Sequence, residues 1–159
     1  MIYRKVRGLM KNETYSYDIT KADRYTFIST GKISIAIQVV FTYTGVRNIV
    51  NLGFGDLLPD GSIDDKVNSN NGDIVMVLAA IVQILTDFTG KFPEAEVFFA
   101  GSTQKRTKLY TRILETYYIS FSKEFSINGL LMKGEGYVEV AFAPGSGLKF
   151  EGFIVKRNH

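Results

Sequence analysis

The stretch from Ile74 to about Thr89 constrains the fold most. Residues 74, 77, 78, 81, 84, 85 and 88 are all apolar, which is helical spacing, and residues 75, 76 and 82 widen the stripe to most of the circumference. A helix that is apolar over so much of its surface must be covered on several sides. Asn71 or Asp73 can cap its start, and Gly90 with Pro93 ends it. Its continuous apolar run, Ile74 to Leu85, is 12 residues long and contains Gln83. A bilayer requires ~20 such residues, so no membrane association is expected. The opening MIYRKVRGLMKN has positive charges but no apolar core of signal-peptide length behind them, so a cytoplasmic location is expected.

The covering elements read as strands. YTFIS and ISIAIQVVFTYT, separated by TGK, form a hairpin pattern of β-branched and aromatic residues from Tyr25 onward, and NIVNLGF follows the turn signal TGVR as a third strand. GDLLPDGSIDDKVNSNNGD is loop composition throughout. After the helix, AEVFFA is a short apolar run of the kind covered on both faces. Ser102 or Thr103 then caps a second helix, whose Leu109, Tyr110, Ile113, Leu114, Tyr117, Tyr118 and Phe121 make one stripe. LLM, YVEVAFA and LKFEGFIVK close the chain, the last two joined by PGSG as a hairpin. The fold class expected is therefore α+β, a mixed but mainly antiparallel sheet with two main helices in the order β-β-β-α-β-α-β-β(-β). The helix between the third strand and AEVFFA implies a parallel pair there. At 159 residues the chain is expected to form a single domain, 1–159, with 1–20 and 157–159 poorly ordered.

Two residue types decide which chemistries are open. Cysteine is absent and the sole histidine is His159, at the end of the sequence. That removes disulfides, thiolate nucleophiles, cysteine and histidine metal centres, and Ser/His/Asp or Cys/His catalysis. No cofactor is implied. The formal net charge of +3 assists contact with phosphates without requiring it. Nine Tyr and twelve Phe invite base stacking, but most alternate along strands or line the helix stripes, where core residues belong.

The segment GSTQKRTKLYTRIL, residues 101–114, carries the candidate binding residues Gly101, Ser102, Thr103, Lys105, Arg106 and Arg112. With Leu109 at zero and 100° per residue, the apolar stripe covers about 0° to 180°, and Lys105, Lys108 and Arg112 fall at about −40° to −100°, on a solvated flank. Arg106 falls at about 60°, within the stripe, and needs an anion because an unpaired buried charge costs several kcal/mol. Two partners are open: an internal carboxylate from the acidic loop, with Asp56, Asp64, Asp65 and Asp73 as candidates, or a ligand phosphate or carboxylate aided by the free amides of the helix start. The same aspartates offer oxygen to Mg²⁺, and PDGSIDDK spells the letters of a PD-(D/E)xK nuclease. Asp and Asn are also the ordinary residues of turns and caps, so no metal is assigned.

YTFISTGKISIAIQVVF, NLGFGD, DDKVNSNNGD and AGSTQKRTKLY together resemble a family of short uncharacterised bacterial proteins, a domain of unknown function, over about Tyr25 to Tyr118. Asn71, Gly72, Asp73, Gly101, Ser102, Thr103, Arg106, Thr107, Leu109 and Tyr110 match its pattern. The resemblance implies a bacterial origin and no activity. In element order the chain also looks like the core of the GCN5-related acetyltransferases. That likeness implies an acetyltransferase-like core in which Tyr110 would protonate the departing thiolate of coenzyme A. Where that superfamily has a glycine-rich pyrophosphate loop, this chain has NSNNGDIVMV, with one Gly and no Arg. A shared fold does not carry its chemistry with it.

The functional expectation is a non-catalytic domain that binds an anionic partner: nucleic acid, a phosphate ligand or an acidic protein surface. The alternatives are an acyltransferase-like enzyme with a degenerate cofactor loop, and a protein that self-associates into a homo-oligomer through an exposed strand or the C-terminal hairpin.

Overall fold

A computed structural model describes residues 3–4, 17–21, 23–57, 60, 63–64 and 74–158. The protein is α+β, with mainly antiparallel strands and, among the described residues, two main helices and one short helix in the expected order. It forms two compact units, residues 1–42 with 52–92 and residues 43–51 with 93–159.

The first unit contains β1 (Tyr3–Arg4), β2 (Tyr17–Lys21), β3 (Arg24–Ser29), β4 (Ile35–Tyr43, to residue 42), the second half of β5 (Ile49–Leu57), β6 (Ile63–Asp64) and α1 (Ile74–Lys91). β1, β2, β3 and β4 pair antiparallel in succession, and β6 pairs antiparallel with the end of β5. The register Tyr25↔Val39 and Phe27↔Ile37 sets these four residues, with Phe41, on one face, and all five are buried. α1 covers that face: the Phe41 and Phe88 rings stack with centroids 3.9 Å apart, and Tyr25 meets Phe41 edge-on. The wide apolar stripe behaves as its sequence requires, with Val77 to Ile81, Ile84, Leu85 and Phe88 all buried.

The polar groups that α1 and Tyr25 carry into this core have partners. The Thr89 hydroxyl donates to Leu85 O at 2.8 Å, and Thr86 does the same to Val82 O at 2.9 Å. Tyr25, fully buried, donates its hydroxyl to Asp87 Oδ2 at 3.1 Å, and Lys91 Nζ lies 3.4 Å from the same oxygen one helical turn on.

The second unit contains the first half of β5, β7 (Glu96–Phe99), α2 (Gln104–Thr116), α3 (Tyr118–Phe121), β8 (Phe125–Lys133), β9 (Gly136–Ala141) and β10 (Gly152–Arg157), with the strands in the order β5-β7-β10-β8-β9. β5 and β7 are parallel through Ile49↔Glu96, Val50↔Val97 and Asn51↔Phe98, as a helix-bearing crossover requires. The other pairs are antiparallel. Val97, Val155 and Ile127 share one face with Phe99 and Phe153, and Tyr110 from α2 and Phe121 from α3 pack there against Phe99 and Phe125. Phe142 and Phe150 complete the aromatic cluster around Phe153.

Three details depart from the sequence reading. The PGSG segment is not a hairpin turn: β9 pairs with β8, β10 pairs with β8 on its other side, and residues 142–151 cross between them. The hairpin is closed instead by Gly134 and Glu135, where Lys133 faces Gly136 and Gly134 takes φ +64°, the conformation glycine adopts without strain. The second helix stops at Thr116 and resumes as α3 after Tyr117, in a run of aromatic and β-branched residues of low helix propensity. In β7 only Val97 is fully buried, while Glu96, Phe98 and Phe99 are half-buried. β1 and the first four residues of β2 fall within 1–20, and Arg157 ends β10.

Candidate functional site

The candidate residues cluster where β7 gives way to α2. Thr103 is the N-cap, with φ −137° and ψ 161°, and its Oγ1 accepts the Arg106 N–H at 3.2 Å. Its carbonyl accepts both the Thr107 N–H at 3.1 Å and the Thr107 hydroxyl at 3.2 Å. Thr107 Oγ1 in turn accepts the Gly101 N–H at 3.0 Å, so this buried hydroxyl ties the strand end to the helix start. A Cβ on Gly101 would lie 2.5 Å from Thr107 N and 2.6 Å from Arg106 Cβ, so only glycine lets the first helical turn approach this closely.

The buried face of α2 is formed by Thr107, Tyr110 and Leu114, while Leu109 and Ile113 are half-buried. Its centre therefore lies about 70° from Arg106, further round the helix than the apolar pattern indicates. Arg106 is half-buried at the flank, and its Nη1 donates to Ser102 Oγ at 3.3 Å. The buried Thr107 displaced the phasing, because a threonine whose hydroxyl is doubly bonded sits in a core without the penalty of an unpaired polar group.

Lys105, Lys108 and Arg112 are exposed on one side of α2 at spacings of three and four. Among the described residues no ion pair includes any of them. Lys108, read from the sequence only as part of the solvated flank, lies in the same exposed row. The nearby carboxylates are committed elsewhere: Glu115, the one acid on α2, accepts the Gly145 N–H at 2.6 Å, and Glu151 accepts from Gln104 Nε2 at 2.9 Å. Glu96 and Glu139 face Arg47, and Glu94 faces Lys156. The first turn of α2 holds no acid, so Lys105 and Arg106 stand against the positive end of the helix dipole.

Tyr110 is buried with its ring edge-on to Phe99 at 6.2 Å. Of the acidic-loop residues, Asp56 is half-buried near the end of β5 and faces Asp64 on β6 in the strand register. Asp65 and Asp73, with Asn71 and Gly72, lie outside the described residues, as does His159. Among the described residues no three Asp, Glu or His side chains converge as a metal would need, and no helix is long and apolar enough to cross a membrane.

Fold and site together define an α+β protein with a glycine-tightened strand-to-helix turn and a row of exposed cations along one side of α2. The chain belongs to DUF6934, a family of unknown function, whose pattern matches residues 11–158. No curated protein and no solved structure matches it.

Proposed function

We propose that this chain is a non-catalytic domain that binds an anionic partner through α2, and that the phosphate backbone of nucleic acid is the partner its spacing fits best. The observation that carries the reading is the row of Lys105, Lys108 and Arg112 beside Arg106, none of the three in an ion pair among the described residues, on a helix whose one carboxylate is turned to Gly145. Like charges at helical spacing cost ~0.2–0.5 kcal/mol each, and first-turn cations oppose the dipole, so the arrangement is unfavourable until an anion arrives. From residue 105 to residue 112 the helix rises about 10 Å, close to three steps of about 3.4 Å, the axial span from the first to the fourth of four consecutive phosphates on one strand.

Titration with short single-stranded and duplex oligonucleotides at low salt tests this. Amide shifts should be confined to residues 101–112, and log K should fall with log salt at a slope of about −2 to −3, as expected for three phosphate contacts. Unmoved spectra at low salt overturn the nucleic-acid reading. Saturable shifts of the same amides with inorganic phosphate alone, and none with oligonucleotides, reassign the partner to a small phosphate ligand.

A further inference from the structure

β9 is the edge strand of the second unit. Among the described residues no strand pairs with its outer side, since β9 is the last strand in the order. The two-residue Gly134–Glu135 turn makes Lys133 and Gly136 a hydrogen-bonded pair, and Phe142 N donates to Ile127 O at 3.0 Å in the same phase. The even-numbered residues of β9 therefore direct their N–H and C=O groups to β8. Those of Tyr137, Glu139 and Ala141 point outward.

Such edges are ordinarily blunted by charge, proline or a bulge. β9 has no lysine, no proline and an unbroken register with β8. Its single charge, Glu139, is drawn back over the sheet, accepting from Asn128 Nδ2 at 3.2 Å and lying 3.9 Å from Arg47 Nη2. Beside it Val138 is 37% exposed, Tyr137 61% and Met132, the neighbour of Tyr137 on β8, 58%. An open ladder flanked by exposed apolar side chains fits another strand.

We infer that β9 pairs antiparallel with β9 of a second copy across a two-fold axis centred on Val138. The charges select the register. Centring on Glu139 would oppose the two Glu139 side chains, and centring on Tyr137 would oppose Glu139 to Glu135, both unfavourable. Centring on Val140 would leave Tyr137 facing residue 143, beyond the end of the strand. Centring on Val138 opposes no like charges: Tyr137 and Glu139 of each copy exchange outward hydrogen bonds, and the two Val138 side chains meet as the close, non-hydrogen-bonded pair. This pairing is independent of the cationic face on α2.

Sedimentation of the full chain, with Val138→Lys, Val138→Glu and their equimolar mixture, tests the pairing. The wild type should be dimeric at high concentration, each variant alone monomeric, and the mixture dimeric again because Lys faces Glu across the axis. A wild type that stays monomeric up to about 1 mM overturns the inference. So does a dimer that neither variant disperses, or a mixture of folded variants that stays monomeric. Amide spectra establish that the variants are folded. If they are not, Tyr137→Pro removes one outward N–H without touching the β8 ladder, and persistence of the dimer in that variant would equally refute the pairing.

Discussion

Glu115 Oε2 accepts the backbone N–H of Gly145 at 2.6 Å, across 30 residues of sequence. The bond spans from α2 to the crossover that precedes β10, and it removes from Arg112 the carboxylate that helical spacing would supply at i+3. Glu115→Gln keeps an acceptor for Gly145 and deletes the charge. Stability should change by less than about 1 kcal/mol, read by denaturant unfolding, while oligonucleotide affinity rises. Glu115→Ala should instead shift the amides of 143–147 and destabilise by about 1 kcal/mol.

Neutralising the cations separates binding from folding. Lys105→Gln, Lys108→Gln and Arg112→Gln should each lower the salt slope of oligonucleotide binding by about 0.7–0.9. Each should leave stability unchanged or raise it by about 0.2–0.5 kcal/mol, because a like-charge neighbour is removed. Loss of binding accompanied by loss of stability would mean that the side chains hold the fold and not a partner.

The strand-to-helix turn depends on Thr107. Thr107→Val conserves shape but leaves the Gly101 N–H without its acceptor, for an expected loss of about 1–3 kcal/mol. Thr103→Ala removes the cap and should cost about 0.5–2 kcal/mol. Gly101→Ala forces the first turn outward and should cost about 1–3 kcal/mol. Thermal or denaturant unfolding measures all three.

These residues also show how far the sequence reaches. The cap at Thr103, the interior helix at 74–91 and the parallel β5·β7 pair follow from local spacing and connection rules, and such information lies within a few residues. What escapes depends on contacts distant in sequence. The β8–β9 hairpin was hidden because Gly134–Glu135 is a weaker turn signal than PGSG, and the choice between them is made by β10 inserting beside β8. Thr107 reads as polar, and only the Gly101 N–H and Thr103 carbonyl reveal why it is buried. The row of cations was legible as a flank. That it has no ion pair among the described residues was not, because the commitment of Glu115 to Gly145 and of Gln104 to Glu151 requires the fold.

The Tyr25–Asp87–Lys91 cluster gives a prediction for the first unit. Asp87 is the one acid in a mostly apolar helix, and its side chain is only 8% exposed, so it needs donors. Tyr25 supplies one from the opposing sheet, and Lys91 supplies charge from the next turn while lying 5.7 Å from the Tyr25 ring centroid. Tyr25→Phe removes a hydrogen bond to a charged acceptor and should destabilise by about 1.5–3 kcal/mol. Lys91→Met, more exposed and more flexible, should cost less, about 1 kcal/mol or below. If the cluster anchors the end of α1 to β3, Tyr25→Phe should also speed amide exchange in the last turns of α1 ahead of the rest of the sheet. A uniform loss of protection would place Tyr25 in the general core instead of at a local clamp.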